Sequence, residues 1–122
     1  MKALLSIKPE FADKIFAGTK RYEFRRAVFK KEGVDEVLVY ASSPVQRVIG
    51  EFRIGGIISG DVDAVWRKTR SHAGITHDYY RSYFSGRENA NAIMVESPRL
   101  FARKRKLSEY RISAPPQSFV YL

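Results

Sequence analysis

The residues best equipped for chemistry stand close together near the N-terminal end. They are Lys20, Glu23 and Arg25, within the stretch Gly18-Thr19-Lys20-Arg21-Tyr22-Glu23-Phe24-Arg25. An ammonium, a carboxylate and a guanidinium suit a ligand that carries both donors and acceptors, as a nucleobase with its phosphate does. From Tyr22 to Arg25 apolar and charged side chains alternate, which predicts a short strand with Tyr22 and Phe24 on the core face and Glu23 and Arg25 on the other. Lys20 and Glu23 are an odd number of residues apart and would fall on opposite faces of a regular strand. They share a pocket only if Lys20 precedes the ladder or sits on a bulge. Glu23 beside Lys20 would favour the ammonium and raise the lysine pKa, making Lys20 a weak nucleophile or base at neutral pH.

Other chemistries find no residues to carry them. His72 and His77 have no carboxylate at ligand spacing, so no metal site is expected. The chain has no cysteine, which excludes disulfides, thiolate ligands and a thiol nucleophile. No Gly-x-Ser-x-Gly occurs, and by composition Ser42, Ser43 and Ser118 are turn serines. Gly55-Gly56 is not followed by the Lys-Ser or Lys-Thr of a phosphate-cradling loop, and no cofactor is expected.

Charge points to the partner class. The chain carries 22 Lys and Arg against 13 Asp and Glu, a formal net charge of +9, and its pI is near 10.0. Such an excess attracts polyanions through its long-range field, so nucleic acid is the leading partner. RNA, DNA and a nucleotide-like small molecule all stay open on charge alone. Arg99, Arg103, Lys104, Arg105 and Lys106 form the densest basic run and are the candidates for contacts to a nucleic-acid backbone. The alternative is a ladder of surface ion pairs with a solvated charged edge that discourages strand pairing.

At 122 residues, 44% of them hydrophobic, the expectation is one domain over residues 1–122 with a real core. Lys2 precedes only Ala3-Leu4-Leu5, too short for a signal peptide, and no segment is long and apolar enough for a bilayer. A soluble, cytoplasmic protein with no membrane partner is expected.

The elements that must position the site follow from periodicity. Lys2 to Ile7 reads as a strand, and Pro9 fits the first turn of a helix to about Ala17, with Phe11, Ile15 and Phe16 at helical spacing and Gly18 closing it. Glu36 to Tyr40 is a further strand. Val45 to Ser59 is an apolar stretch whose Gly50, Gly55 and Gly56 mark bulges or bends. Asp61 caps a helix closed by Gly74, and Thr76 caps a second, ending at Gly86. On that second helix Tyr79, Tyr80, Tyr83 and Phe84 make an aromatic stripe assigned to the core in preference to base stacking. Ala90 to Glu96 and Leu100 to Leu107 read as two strands, Ser108 to Tyr110 as a turn of helix, and Phe119 to Leu122 as a last strand behind Pro115-Pro116. Strands outnumber helices without alternating with them, so the fold class expected is α+β, a mixed β-barrel with two or three short helices packed at its openings.

Several of these segments, taken in order, resemble a known family. Gly18-x-Lys20-x-x-Glu23-x-Arg25, preceded by Leu5-Ser6-Ile7-Lys8-Pro9, is similar to the signature of ASCH domains, a branch of the PUA-like superfamily. The likeness continues through Tyr40-Ala41-Ser42-Ser43-Pro44-Val45, Gly50-Glu51-Phe52 and Pro115-Pro116-Gln117-Ser118-Phe119. It implies a PUA-like pseudobarrel, a cleft holding the signature residues, and an RNA-binding or RNA-modification-linked role. Lys8, Lys20, Glu23, Arg25, Ser42 and Ser43 are the ligand-binding candidates it suggests. Some family members are amidohydrolases of N4-acetylcytidine that use a lysine matching Lys20, a threonine three residues later and a distant glutamate, and some are reported to cut RNA. Here Glu23 takes the threonine's place and no carboxylate stands near Ser71 and His72. The resemblance therefore implies a binding module first, with a small hydrolase, amidohydrolase or ribonuclease, as the alternative in which Lys20 and Glu23 are catalytic.

Overall fold

The computed structural model describes residues 1–122. In chain order the elements are β1 (Lys2–Ile7), α1 (Pro9–Ala17), β2 (Tyr22–Arg25), β3 (Glu36–Ala41), β4 (Arg47–Asp61), α2 (Val62–Thr69), α3 (His77–Tyr83), β5 (Asn89–Arg105) and β6 (Phe119–Tyr121). Short 3-10 turns follow α2 at Arg70–His72 and β5 at Leu107–Tyr110. The strands form one six-stranded sheet in the order β2-β5-β4-β3-β1-β6. Only β1 and β3 pair in parallel; the other neighbours are antiparallel. Curled on itself, with its helices at the openings, the sheet is an α+β pseudobarrel of the PUA-like kind. No helix is long and apolar enough to cross a membrane.

Local sequence accounts for the elements around the site. Pro9 supplies the pre-set first turn of α1, and Gly18, at φ 85°, ends it by returning its N–H to the carbonyls of Ile15 and Lys14. The Asp61 carboxylate accepts from the N–H groups of Asp63 and Ala64, both at 3.1 Å, and starts α2. The Thr76 hydroxyl accepts from the N–H of Tyr79 at 3.1 Å and starts α3.

The longest strand differs from the sequence expectation: β5 runs unbroken through 17 residues where two strands were expected. β4 is one strand of 15 residues with irregular register beside its glycines, as the expected bulges or bends at Gly50, Gly55 and Gly56 require. Register shifts between Val48 and Gly50, Glu51 and Arg53, and Ile54 and Ile57 absorb the irregular residues without ending the ladder. In β5 the bend falls at Ser97, which adopts φ 49° just before Pro98. Glycine and proline here bend strands that the ladder between β4 and β5 keeps whole.

Burial is divided among three apolar clusters. The largest packs α1 against the sheet around Leu5, Ile15, Val39 and Phe52. A second gathers Phe24, Val65, Tyr80 and Phe84 beneath α2 and α3, and a third holds Leu4, Tyr40, Val48 and Phe101. β5 enters all three, through Ile93, through Ala90 and Ala92, and through Phe101.

Candidate functional site

Lys20 stands two residues ahead of β2, where the end of α1 holds it: its N–H donates to the Lys14 carbonyl at 3.1 Å. The backbone of Arg21 is tied again on both sides, to His72 and Val95. The lysine therefore precedes the ladder, and its side chain turns to the same side as Glu23. It is buried, 1% exposed. Nζ donates to the Ala73 carbonyl at 2.8 Å and lies 4.9 Å from the centre of the Phe24 ring and 5.5 Å from that of Phe11. Gly74, at φ 70°, presses on the lysine stem so closely that a Cβ there would stand 2.5 Å from Lys20 Cβ and Cγ.

Glu23 and Arg25, two residues apart on β2, share a face. Arg25 Nη1 donates to Glu23 Oε2 at 3.2 Å and to the Ser6 carbonyl at 3.3 Å, while Nη2 donates to the Ser118 carbonyl at 2.7 Å. The other carboxylate oxygen, Oε1, is 4.0 Å from Lys20 Nζ and accepts no hydrogen bond. Since no buried side-chain polar atom lacks a partner, Oε1 faces the open volume beside it. Phe24 is buried against Tyr80, as the alternation predicts, whereas Tyr22 is only half-buried.

These groups line one cavity of about 240 Å³. Its charged lining is Lys8, Lys20, Arg25 and Arg26 against the single carboxylate of Glu23. Phe11, Phe24, Tyr79 and Tyr83 form its aromatic wall, and Ser6 and Gln117 add neutral polar groups. The aromatic stripe of α3 is thus divided, a correction to its assignment to the core. Tyr80 and Phe84 are buried, but Tyr79 and Tyr83 are half-buried and turned to the cavity. Arg26 and Gln117, missed in the sequence, arrive from the end of β2 and from the segment before β6; only the Pro-Pro-Gln-Ser segment of the family resemblance hinted at the latter.

Burial sets the protonation of Lys20. Desolvation pushes its pKa down from 10.5 to about 8, and nearby Lys14 adds to the effect, while Glu23 opposes both without cancelling them. Glu23 does act to raise the value, as expected, but the net shift is downward, which corrects the expectation of a raised lysine pKa. A lysine enclosed by two rings and a glycine loop loses more solvation than one carboxylate at 4.0 Å returns.

Ser42 and Ser43 do not line the cavity, which corrects their placement among the ligand-binding candidates. They occupy the turn between β3 and β4, and the Ser42 N–H continues the ladder by donating to the Ile7 carbonyl at 2.9 Å. Lys8, exposed at the start of α1, does reach the cavity.

The basic run lies on β5 and just beyond it, and it is partly engaged by its own chain. Arg103 grips Glu109 with both Nη groups, at 3.1 and 2.7 Å, which holds the Glu109 carboxyl down at about 2. Arg105 lies 3.7 Å from the centre of the Phe101 ring and donates to the Tyr110 hydroxyl at 2.9 Å. Arg99 pairs with Glu51. Lys104 and Lys106 are exposed and make no ion pair.

Comparison with known proteins accords with this architecture. A model of the ASCH domain matches residues 5–99. An ASCH domain-containing ribonuclease of Zymomonas mobilis is 35% identical over 124 residues, covering 99% of this chain and 84% of that protein. The crystal structure of ASCH from Zymomonas mobilis superposes with a TM-score of 0.90 at 34% identity, over 99% of this chain and 87% of that one. The chain also matches part of the large ribosomal subunit protein uL22 of Ureaplasma parvum, at 28% identity over 98% of this chain but 38% of that protein. A curled six-stranded sheet, a signature whose charged residues meet in one cavity, and these matches together place the chain in the ASCH domain family.

Proposed function

We propose that the protein is an RNA-cleaving enzyme that draws one nucleotide of a single strand into the cavity between β2 and α3. The observation that carries this reading is the pair Lys20 and Glu23: a buried ammonium with a pKa of about 8 stands 4.0 Å from a carboxylate oxygen that accepts no hydrogen bond. An acid whose pKa lies near the working pH, beside a base with a free lone pair, is what proton transfer in both directions requires. The ribonuclease name of the Zymomonas mobilis relative and the net charge of +9 support RNA as the substrate.

In this reading Glu23 Oε1 takes the proton of the ribose 2′-hydroxyl, whose oxygen attacks the neighbouring phosphorus. The bond to the 5′-oxygen breaks, and the leaving oxygen takes a proton from Lys20. The products are a 2′,3′-cyclic phosphate and a 5′-hydroxyl end, and the proton on Glu23 returns to the lysine across the gap that separates them. Arg25, committed to Glu23 and two carbonyls, is a positioning residue that fixes the carboxylate. Lys8 at the rim offsets charge on the phosphate. Lys104 and Lys106, rather than the engaged arginines between and around them, follow the backbone of the strand.

Incubation of a fluorescent single-stranded RNA with the protein tests the reading. Cleavage should leave 2′,3′-cyclic phosphate ends, and Lys20→Met and Glu23→Gln should each slow it by roughly 100-fold or more. RNA bound but uncut would make the protein a binding module. Release of cytidine from N4-acetylcytidine that depends on Lys20 and Glu23, without RNA cleavage, would make it an amidohydrolase.

A further inference from the structure

Tyr79 and Tyr83 are four residues apart on α3 and so stand side by side along the cavity wall. Each ring carries a cation: Lys8 Nζ is 5.2 Å from the centre of Tyr79, and the guanidinium carbon of Arg26 is 4.4 Å from that of Tyr83. The two cations are held differently. Lys8 is an exposed ammonium on a flexible stem. Arg26 is fixed at three points. Its carbonyl accepts from Asn91 Nδ2 at 3.2 Å, its Nε donates to the Tyr83 carbonyl at 2.9 Å, and its guanidinium lies over the Tyr83 ring.

What remains of Arg26 is unused. It is exposed, no carboxylate pairs with it, and both Nη groups are without partners. Tyr83 is braced from behind, edge-on to Phe84 with ring centres 4.8 Å apart. An arginine already immobilised on an aromatic ring loses little freedom when a flat ligand settles on it.

The cavity itself sets the need for such a surface. At about 240 Å³ it is below the roughly 300 Å³ at which small-molecule sites begin, so it holds one base and leaves the rest of the strand to cross the rim. Arg26 is on that rim. We infer that Arg26, backed by Tyr83, is a second nucleotide subsite: a stacking shelf for the base adjoining the one in the cavity, with its Nη groups on the phosphate that links them. The site would then engage two consecutive nucleotides of a single strand. This rests on the reading above in that it needs a base in the cavity, but it does not need that base to be followed by cleavage.

Calorimetric titration with uncleavable 2′-fluoro nucleoside 3′-monophosphates and 2′-fluoro trinucleotides tests the shelf. The readout is the ratio of trinucleotide to mononucleotide affinity, expected at roughly 5- to 150-fold in the unaltered protein. Arg26→Ala should collapse that ratio, and Arg26→Lys, which keeps the charge but not the flat face, should restore only part of it. Full restoration by Arg26→Lys would overturn the shelf in favour of a plain phosphate contact. Mononucleotide binding with no gain on lengthening would overturn the shelf and leave the cavity reading standing. Failure of every mononucleotide to bind would remove the cavity reading, and the shelf with it.

Discussion

Arg25 and Ser118 are joined across the two free ends of the sheet, with Nη2 of the arginine 2.7 Å from the serine carbonyl. β2 and β6 are the outermost strands of the order and do not pair with each other, so a side chain, rather than a ladder, bridges the seam. The same guanidinium holds Glu23 Oε2 and the Ser6 carbonyl. One residue therefore ties the strand that carries the candidate site to the segment that closes the barrel.

Arg25→Ala should cost about 3 to 5 kcal/mol of stability, because it leaves the buried Glu23 carboxylate without its main partner. Urea denaturation measures this directly. The double variant Arg25→Ala with Glu23→Gln should recover part of the loss, since the orphaned charge is then gone. Equal stabilities for the single and double variants would mean that the carbonyl bonds across the seam, not the ion pair, carry the effect.

Lys20 makes stability depend on pH in a defined window. Its pKa falls from 10.5 to about 8 on folding, so between these values the unfolded chain binds more protons than the folded one. The stability it contributes rises with pH across that window, by about 3 kcal/mol in all. Below about pH 8 the lysine is protonated in both states and the full cost of burying its charge is present. Stability measured from pH 7 to pH 10.5 should climb less steeply in Lys20→Met than in the unaltered protein; parallel curves would refute the depressed value. If the ammonium is the acid in cleavage, kcat/KM should decline above about pH 8.

Gly74→Ala should act as a site substitution although it lies outside β2. The new Cβ meets the Lys20 stem at 2.5 Å and also strains a left-handed backbone, φ 70°. Together these should cost about 2 kcal/mol or more and displace Nζ from the Ala73 carbonyl. Cleavage should fall by more than the stability loss explains, which activity measured well below the melting temperature would reveal.

Lys104→Ala with Lys106→Ala should reduce the slope of log affinity for single-stranded RNA against log salt by about 1.4, or about 0.7 for each phosphate left without its lysine. Arg103→Ala should change it little, because that guanidinium is already spent on Glu109. An equal change from all three positions would place the phosphate track along the whole run.

Much of the framework was legible in the sequence because its signals are local. Pro9 and Gly18 bracket α1, Asp61 and Thr76 cap α2 and α3, and β1 reads directly from Lys2 to Ile7. The length of β5 was not legible. Ser97 and Pro98 look like a stop until β4 is present to carry the ladder past them. At the site, the convergence of Lys20 with Glu23 followed from the condition that Lys20 precede the strand. Its lowered pKa did not, because the Ala73-Gly74 loop that buries it is more than fifty residues away. Tyr79 and Tyr83 had a visible spacing, but only the packing of α3 decides which pair of its four aromatics faces the core.

The passage of β5 through all three apolar clusters has a consequence for whatever enters the cavity. The wall bearing Glu23 hydrogen-bonds to β5 through β2, and the helix bearing Tyr79 and Tyr83 packs on the same strand through the cluster that holds Ala90 and Ala92. Both walls of the cavity are therefore borne by the same strand. On the proposed function, a strand whose base enters the cavity would splay that base from its neighbours by rotating its own backbone torsions. Stacked and paired duplexes resist that deformation and loose single strands do not, so on the proposed function the cavity would act as a filter on the secondary structure of the ligand.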